Sequence, residues 1–344
     1  SLQEKESISS QDVKLNEESQ KIIEEANEDP EKQFNIGISL IEGRENFPLN
    51  TQIGLKFLQK SMENGCIKSI IYYCEMLIKG RIIPQNLEKA MKIAQKYFTK
   101  EEAAYSLIIG KIEKKKKNYE KAKICFEKSI NEGNDESMYQ YGKMFYKGIH
   151  MPVNKEKAIF YYKKAIEKGN VKAMFEYGKI MKKEGQNDEG NRYIKKSADE
   201  GYPKACYYYS IILDKGDGVA INKEESIRYL HEAAKKGNDE SMYKYSLELS
   251  KNYYFIKDSV VYLKKLCDKG HNKSMYYYGK MLLKGDGIQK NIKKAIKYIK
   301  SSAISGNTDA MIYYGDILST GDIVLVNKEE AIKYYKMAIE KGNE

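Results

Sequence analysis

Histidine is the residue type from which catalytic and metal sites are most readily built, and this sequence has only three. His150, His231 and His271 lie far apart, no two have the spacing of metal ligands, and none accompanies a suitably placed cysteine or carboxylate. No local signature of nucleophilic catalysis occurs either. We interpret the histidines as solvated surface residues and predict no catalytic residue, no metal site and no cofactor.

The cysteines give no better evidence for a redox or metal site. Their number is odd, their spacing is irregular and no CxxC pair occurs. We expect unpaired, buried thiols in a reducing compartment. The residues concerned are Cys66, Cys74, Cys125, Cys206 and Cys267.

Two glycine-rich segments and a lysine run are the remaining candidates for a binding site. Gly-Asp-Gly occurs at 216–218 and 285–287. The strand before and the Lys-Ser/Thr after a phosphate-binding loop are missing, so we predict structural turns. Residues 114–117 are four lysines. A solvated turn is the favoured interpretation, and a nucleic-acid or localisation patch is the alternative.

The charge balance points to acidic partners without choosing among them. The 344 residues carry a net charge of +11, although residues 1–30 hold nine acidic side chains against three lysines. A basic field attracts acidic peptides, nucleic acid and membrane surfaces alike. No run of 18 apolar residues and no signal-peptide pattern occurs. We therefore expect no membrane association and a cytoplasmic location.

Internal repetition reveals the elements that position these residues. Residues 135–148 and 272–285 read DESMYQYGKMFYKG and NKSMYYYGKMLLKG, and residues 154–170 and 327–343 read NKEKAIFYYKKAIEKGN and NKEEAIKYYKMAIEKGN. One copy holds both kinds of segment, and copies recur every 32 to 37 residues. A small marker residue occurs once in each copy, at Gly37, Cys74, Gly110, Gly142, Gly178, Ser210, Ser246, Gly279 and Gly315.

Both segments have the periodicity of amphipathic helices. In the first, helix A, residues such as Met138, Tyr141 and Phe145 share one stripe with the marker, which is expected where two helices cross closely. The second, helix B, ends in glycine, which predicts a left-handed C-terminal residue. It begins at an asparagine that predicts an N-cap, at Asn50, Asn86, Asn118, Asn154, Asn222, Asn291 and Asn327.

We therefore predict an all-α fold, a right-handed α-solenoid superhelix of nine helix-turn-helix repeats. The copies form a single solenoid over residues 31–343, divided as 31–66, 67–102, 103–134, 135–170, 171–202, 203–238, 239–271, 272–307 and 308–343. Residues 1–30 form an acidic leader. A capping helix, an acidic pseudo-ligand and a partly ordered segment are its three interpretations.

The repeat unit resembles that of the Sel-one-like repeat (SLR) family, a relative of the tetratricopeptide repeats. One copy matches at Ala205, Gly216, Gly218, Ala233, Ala234 and Gly237, and another at Ser274, Gly279, Gly285, Gly287, Ala295 and Gly306. The resemblance covers residues 31–343, with the copies at 171–202 and 239–271 degenerate. Tyrosine replaces the family's leucine before the marker in seven copies.

The resemblance implies an adaptor or scaffold role and a concave surface formed by helix A. Aromatic side chains recur there, with a lysine one turn later in several copies, a pattern suited to an extended peptide with acidic and apolar groups. Packing against the neighbouring repeat is the alternative role for each aromatic residue. The predicted partner-binding residues are Tyr139, Lys143, Phe175, Lys179, Tyr207, Tyr243, Tyr276 and Lys280.

We predict a non-enzymatic scaffold that binds a protein or extended peptide, with acidic groups as the expected partner chemistry and no small-molecule substrate. End-to-end self-association stays open. The alternatives are a basic helical array that binds nucleic acid and a regulatory segment of a larger enzyme such as a kinase.

Overall fold

The computed structural model describes residues 29–44 and 47–342, together with Lys21, Ile23 and Ala26. Eighteen α-helices have both ends in this part of the chain, which contains no strand. In order, α1 to α18 are Pro30–Glu42, Thr51–Glu63, Ile67–Lys79, Leu87–Tyr97, Ala103–Lys115, Tyr119–Asn131, Asp135–Lys147, Lys155–Glu167, Val171–Lys183, Asn187–Asp199, Pro203–Lys215, Lys223–Lys235, Asp239–Ser250, Ile256–Asp268, Asn272–Lys284, Ile292–Ile304, Thr308–Thr320 and Lys328–Glu340.

The helices alternate as the two predicted kinds of segment, so odd-numbered helices are helix A and even-numbered helices are helix B. The chain divides into an N-terminal unit, Ser1–Tyr229, and a C-terminal unit, Leu230–Glu344. Within each unit, a helix packs chiefly on its neighbours in sequence. The fold is therefore an all-α solenoid of tandem helix pairs, as predicted.

The marker residues lie where helix A meets helix B of the same copy, and all nine are buried. A Cβ atom on Gly279 would lie 2.6 Å from Cγ1 of Ile299, and one on Gly178 would lie 2.8 Å from the carbonyl oxygen of Gly190. Atoms cannot approach this closely without displacement. A small residue in this position is what permits the two helices to pack, and the prediction is confirmed.

Asparagine caps six of the seven helix-B starts for which it was predicted. Asn154 Oδ1, for example, accepts from the backbone N–H of Lys157 at 2.8 Å. The prediction for Asn118 was wrong. Its loop is short, and the side chain instead donates to Glu113 Oε2 at 2.8 Å. This charge-assisted hydrogen bond fixes the amide in an orientation in which its oxygen makes no capping bond.

Helix A has caps of its own, which the sequence reasoning missed. In four copies the side chain of an asparagine accepts a hydrogen bond from a backbone N–H in the first turn of helix A. These residues are Asn134, Asn170, Asn238 and Asn307. In α15, Nδ1 of His271 takes this role and accepts from the backbone N–H of Ser274 at 3.3 Å. The interpretation of His271 as a solvated surface residue was therefore wrong, because its ring nitrogen replaces an asparagine oxygen. His231 is likewise half-buried, with its ring 4.5 Å from that of Tyr245.

A buried serine late in helix B links the ends of the two helices. Ser302 Oγ donates to the carbonyl oxygen of Asn272, the first residue of α15, at 2.6 Å. The same bond recurs from Ser61 to Pro30, from Ser129 to Ala103 and from Ser197 to Val171. Each buried hydroxyl is thereby satisfied, and the two helix ends are held together.

The loops between helix A and helix B are alternately long and short from the second copy to the eighth. Each long loop that follows a short one contacts helix B of the preceding copy. The ring of His150 stacks on Tyr119 at 5.4 Å, Asn191 donates to the carbonyl oxygen of Asp217 at 2.9 Å, and a Cβ on Gly287 would touch Ile256. The Gly-Asp-Gly segments are turns with left-handed glycines, as predicted.

Most of the acidic leader, including residues 1–20, lies outside the described residues. Ile23 and Ala26 are buried and share a core cluster with residues of α1 and α2. All five cysteines are free thiols; Cys125 is half-buried and the other four are buried.

Candidate partner-binding face

The predicted aromatic and lysine pairs form in the N-terminal unit, but their rings are buried. The ammonium group of Lys143 lies 5.7 Å from the ring centre of Tyr139, and that of Lys179 lies 5.1 Å from the ring centre of Phe175. Both rings are only 5 % exposed. The lysines and the half-buried Tyr207 are therefore the accessible members of the predicted set in this unit.

Contacts with other aromatic rings accompany the burial of these two rings. The ring of Tyr139 lies 6.0 Å from that of Tyr162, and the ring of Phe175 lies 5.7 Å from those of Tyr202 and Tyr208. Tyr162 belongs to helix B, and the other two neighbours lie at and within α11. The alternative role considered from the sequence, packing against the neighbouring repeat, applies to Phe175 through Tyr208, whereas the ring paired with Tyr139 belongs to helix B of the same copy.

The C-terminal unit gathers its predicted residues into one cluster of tyrosines around a lysine. The ammonium group of Lys280 lies 5.0, 5.4 and 5.8 Å from the ring centres of Tyr276, Tyr277 and Tyr313. Tyr243 joins the cluster through Tyr277, with ring centres 5.8 Å apart. All five side chains are half-buried, and we call them the tyrosine cluster. Such rings attract a cation on their faces and offer hydroxyls at their edges.

A ladder of ion pairs runs along helix A of four successive copies in the N-terminal unit. Lys79 pairs with Glu75 at 2.6 Å, Glu75 with Lys111 at 2.5 Å, Lys111 with Glu136 at 3.3 Å, and Glu136 with Lys172 at 2.9 Å. Lys111, Glu75 and Glu136 keep only 11 %, 18 % and 16 % of their side-chain surface exposed. We call these five residues the ion ladder.

The ion ladder shifts the carboxylates toward their charged form. Burial alone would raise the pKa of the Glu75 carboxyl, but Lys111 and Lys79 outweigh it and lower the pKa to about 2. The pKa of Glu136 is lowered in the same way, by Lys111 and Lys172 against the effect of burial. Sequence reasoning missed this arrangement because the partners belong to different copies.

Three further lysines lie beside the ion ladder. Lys114 is in the last turn of α5, and Lys143 and Lys147 lie one turn apart on α7. The interpretation of residues 114–117 as a solvated turn was wrong for Lys114, because α5 continues to Lys115 and makes Lys114 half-buried. Burial, followed by repulsion from Lys143, Lys111 and Lys147, lowers the pKa of Lys114 to about 8.

Other kinds of site have no support in the described ranges. No three His, Cys, Asp or Glu side chains are grouped there as metal ligands. Among the same residues, no helix combines the length and the apolar character that a membrane crossing needs.

Capped helix pairs that pack through a small residue, copy after copy, define an α-solenoid repeat protein. The Sel1 repeat model matches residues 67–96, 104–134, 135–170, 171–202, 203–238, 272–307 and 308–343, and the chain belongs to this family. The copy at 171–202, which we regarded as degenerate, is among the matches. The segments 31–66 and 239–271 are not.

Solved structures show the same fold. A Sel1 repeat protein from Oxalobacter formigenes has a TM-score of 0.58 and 25 % identity, covering 68 % of this chain and 99 % of its own. A protective antigen of uropathogenic Escherichia coli strains, which displays an SLR fold, has a TM-score of 0.57 and 18 % identity, covering 94 % of this chain and 76 % of its own. No curated protein gives a significant match. Sel1 and tetratricopeptide-like repeat proteins generally act as protein-interaction scaffolds, and the fold is typically non-enzymatic.

Proposed function

We propose that this protein is an interaction scaffold that binds an extended protein segment on the helix-A face. By this name we mean the surface of the A helices on which the predicted partner-binding residues lie. The observation that carries this proposal is the tyrosine cluster, in which three half-buried tyrosine rings lie around Lys280 and a fourth packs on one of them. Tyrosine supplies a large contact area at a small cost in conformational entropy, and it is enriched among the residues that dominate binding energies. The partner-binding residues predicted from the sequence remain part of this proposal.

The cluster also suits the chemistry of a peptide. Tyrosine hydroxyls donate to and accept from a peptide backbone, while the ring faces pack on apolar side chains. Asp309 and Asp316 lie close enough to act on the ionisation of Tyr276, so the surface presents both charge signs. A segment with alternating apolar and charged side chains matches this surface.

The test uses selection of binders from a library of random 12-residue peptides displayed on phage, with the whole chain as bait. Enriched peptides are synthesised, and their affinities are measured by fluorescence anisotropy. The double variant Tyr276→Ala with Lys280→Ala should weaken binding at least tenfold. The matched control is Phe160→Ala with Lys164→Ala, which removes an aromatic and lysine pair of the same kind, 4.6 Å apart, from helix B. It should bind normally.

Two results would contradict the proposal. One is the absence of any enriched peptide, and the other is an equal loss of affinity in both double variants. Circular dichroism of each variant separates lost binding from lost folding. Ring truncation at Tyr139 or Phe175 is avoided, because removing a buried ring costs roughly 3–5 kcal/mol of stability.

Binding of nucleic acid has less support. A protein that follows a phosphate backbone needs unpaired cations in a continuous row, whereas Lys79, Lys111 and Lys172 are paired with glutamates. Retention of a labelled single-stranded oligonucleotide on a filter, falling steeply between low and high salt, would restore this alternative.

A further inference from the structure

The three lysines beside the ion ladder lie close together on neighbouring helices, because Lys114 contacts Gln140, which lies one turn before Lys143 on α7. Lys114 comes from α5, and Lys143 and Lys147 come from α7, the helix A of the next copy. Nζ of Lys114 donates to Oε1 of Gln140 at 3.2 Å, so its nearest hydrogen-bond partner is neutral. Lys143 lies over the ring of Tyr139. We call Lys114, Lys143 and Lys147 the lysine group.

No acidic residue in the described ranges forms an ion pair with the lysine group, although two lie nearby. Glu136 is occupied by Lys111 and Lys172, and Glu176 is paired with Lys179 at 3.2 Å. The neighbouring carboxylates thus have cations of their own. Three ammonium groups are left to repel one another without a counter-ion.

This arrangement costs folding energy, which the hydrogen bond of Lys114 and the cation–π contact of Lys143 offset only in part. Half-buried Lys114 and Lys143 lose part of their hydration. For each, burial is the main cause of a lowered pKa, and neighbouring lysines lower it further. A hydrophobic or amide side chain would stabilise the same positions. Unfavourable charge placed on a binding face is a mark of function, because binding sites are where stability is given up.

We propose that Lys114, Lys143 and Lys147 bind an anionic side-chain group, a carboxylate or a phosphoryl group, of the protein segment on the helix-A face. This inference rests on the proposed function. Ammonium groups hydrogen-bond both kinds of anion, and the strength of each bond increases as water is excluded. An anion in this position adds three attractions that offset the repulsion among the ammonium groups. The ion ladder, in which every lysine is paired with a glutamate, holds the two helices in place around it through the pair of Lys111 and Glu136.

The probes are three fluorescein-labelled peptides of equal length: hexaglutamate, hexaglutamine and a hexapeptide with one central phosphoserine. Their affinities are measured by anisotropy for the whole chain and for two triple variants with the same net charge. The first variant is K114Q/K143Q/K147Q. The second is K56Q/K163Q/K196Q, which removes three exposed lysines from α2, α8 and α10, all helix B of the same unit.

We expect hexaglutamate or the phosphoserine peptide to bind at least tenfold more tightly than hexaglutamine. The first variant should lose at least tenfold of that affinity and the second less than threefold. A preference for one anionic peptide identifies the group that is recognised. The proposal is overturned if neither anionic probe exceeds hexaglutamine, or if both variants weaken binding equally, since the general basic field would then be responsible.

Linked protonation gives a second readout. Around Lys114 the charged groups are Lys111, Lys143, Lys147 and Glu136. An added anion favours the charged form of Lys114, so affinity should fall as the pH rises from 7 to 9. K114Q should remove most of this dependence. A wild-type affinity that is flat over this range would contradict a direct role for Lys114.

Failure of this inference is distinguishable from failure of the proposed function. The variant Y276A/K280A should bind the anionic probes normally, because its changes lie in the C-terminal unit. The library selection tests peptide binding without regard to charge. A chain that selects neutral peptides and ignores anionic ones would retain the proposed function and lose the lysine group as a site.

Discussion

Glycine at the helix crossing of the eighth copy sets how closely two helices approach. A Cβ on Gly279 would meet Ile299 at 2.6 Å and the carbonyl oxygen of Ala295 at 3.1 Å. We expect Gly279→Leu to lower the free energy of unfolding by roughly 1–3 kcal/mol or more, because the core cannot absorb the added atoms. Urea denaturation measures the loss. In a double-mutant cycle, Ile299→Ala should recover part of it, and strict additivity would contradict the crossing argument.

Lys114 lowers the stability of the folded state, whereas Gly279 is needed for it. In the unfolded chain the ammonium group of Lys114 has a pKa of about 10.4, whereas in the folded state its pKa is about 8. The charged form of Lys114 therefore destabilises the folded state at neutral pH. This unfavourable contribution disappears as the pH rises from about 8 to 10.4. Lys114→Met should raise the free energy of unfolding at pH 7 by ~2 kcal/mol, with the advantage shrinking at high pH. Lys115→Met, on exposed surface, should change little.

At the scale of the element, the cap of α15 makes one helix sensitive to pH. Nδ1 of His271 must be unprotonated to accept the Ser274 amide. Burial lowers the pKa of His271, and Lys273 adds to this effect while Glu240 and Asp239 oppose it. The unfolded chain takes up the proton first, near pH 6.5. The cap formed by His271 therefore contributes fully to the free energy of unfolding above about pH 6.5, and its contribution is lost as the pH falls below 6.5.

The measurement compares urea midpoints of the wild type and His271→Asn at pH 8 and pH 5. Asparagine is the residue that caps helix A in four other copies, so the variant should be as stable as the wild type at pH 8. At pH 5 it should be more stable by about 1 kcal/mol, the usual value of a cap. Equal midpoints at both pH values would show that the ring nitrogen does not cap.

The ion ladder connects elements of successive copies. Lys111→Met should cost roughly 3 kcal/mol, because Glu75 and Glu136 would both lose their shared cation. The pKa of Glu75 is lowered to about 2. The contribution of the Glu75 carboxylate to the free energy of unfolding is therefore present above about pH 4.5 and is lost as the pH falls toward 2. The difference between variant and wild type should therefore narrow in acid. The exposed Lys115→Met is again the matched control.

Local features of these elements could be read from the sequence, and contacts between copies could not. Marker glycines and most asparagine caps of helix B act within one helix pair, so their spacing along the chain suffices to predict them. The partners in the ion ladder, such as Lys111 and Glu136, meet only because two copies stack with a particular offset. The burial of Lys114 depends on where α5 ends, and a run of four lysines gives no sign of it.

At the scale of the whole molecule, helices pack chiefly on their sequence neighbours. A destabilising substitution should therefore weaken only its own copy and the adjacent copies. Ile299→Ala removes a fully buried side chain from the eighth copy. We expect hydrogen-exchange mass spectrometry to show faster amide exchange in the seventh to ninth copies and unchanged exchange in the first four. Uniformly faster exchange would instead mean that the array unfolds as one cooperative body.

The alternation of long and short loops gives the array a period of two copies. Markers two copies apart are separated by 68 or 69 residues from Gly110 to Gly315. Deletion of a full period preserves the contacts between each long loop and the preceding helix B, whereas deletion of one long-loop copy would bring two short connections together and remove one such contact. Deletion of a full period should therefore destabilise the array less than deletion of one copy.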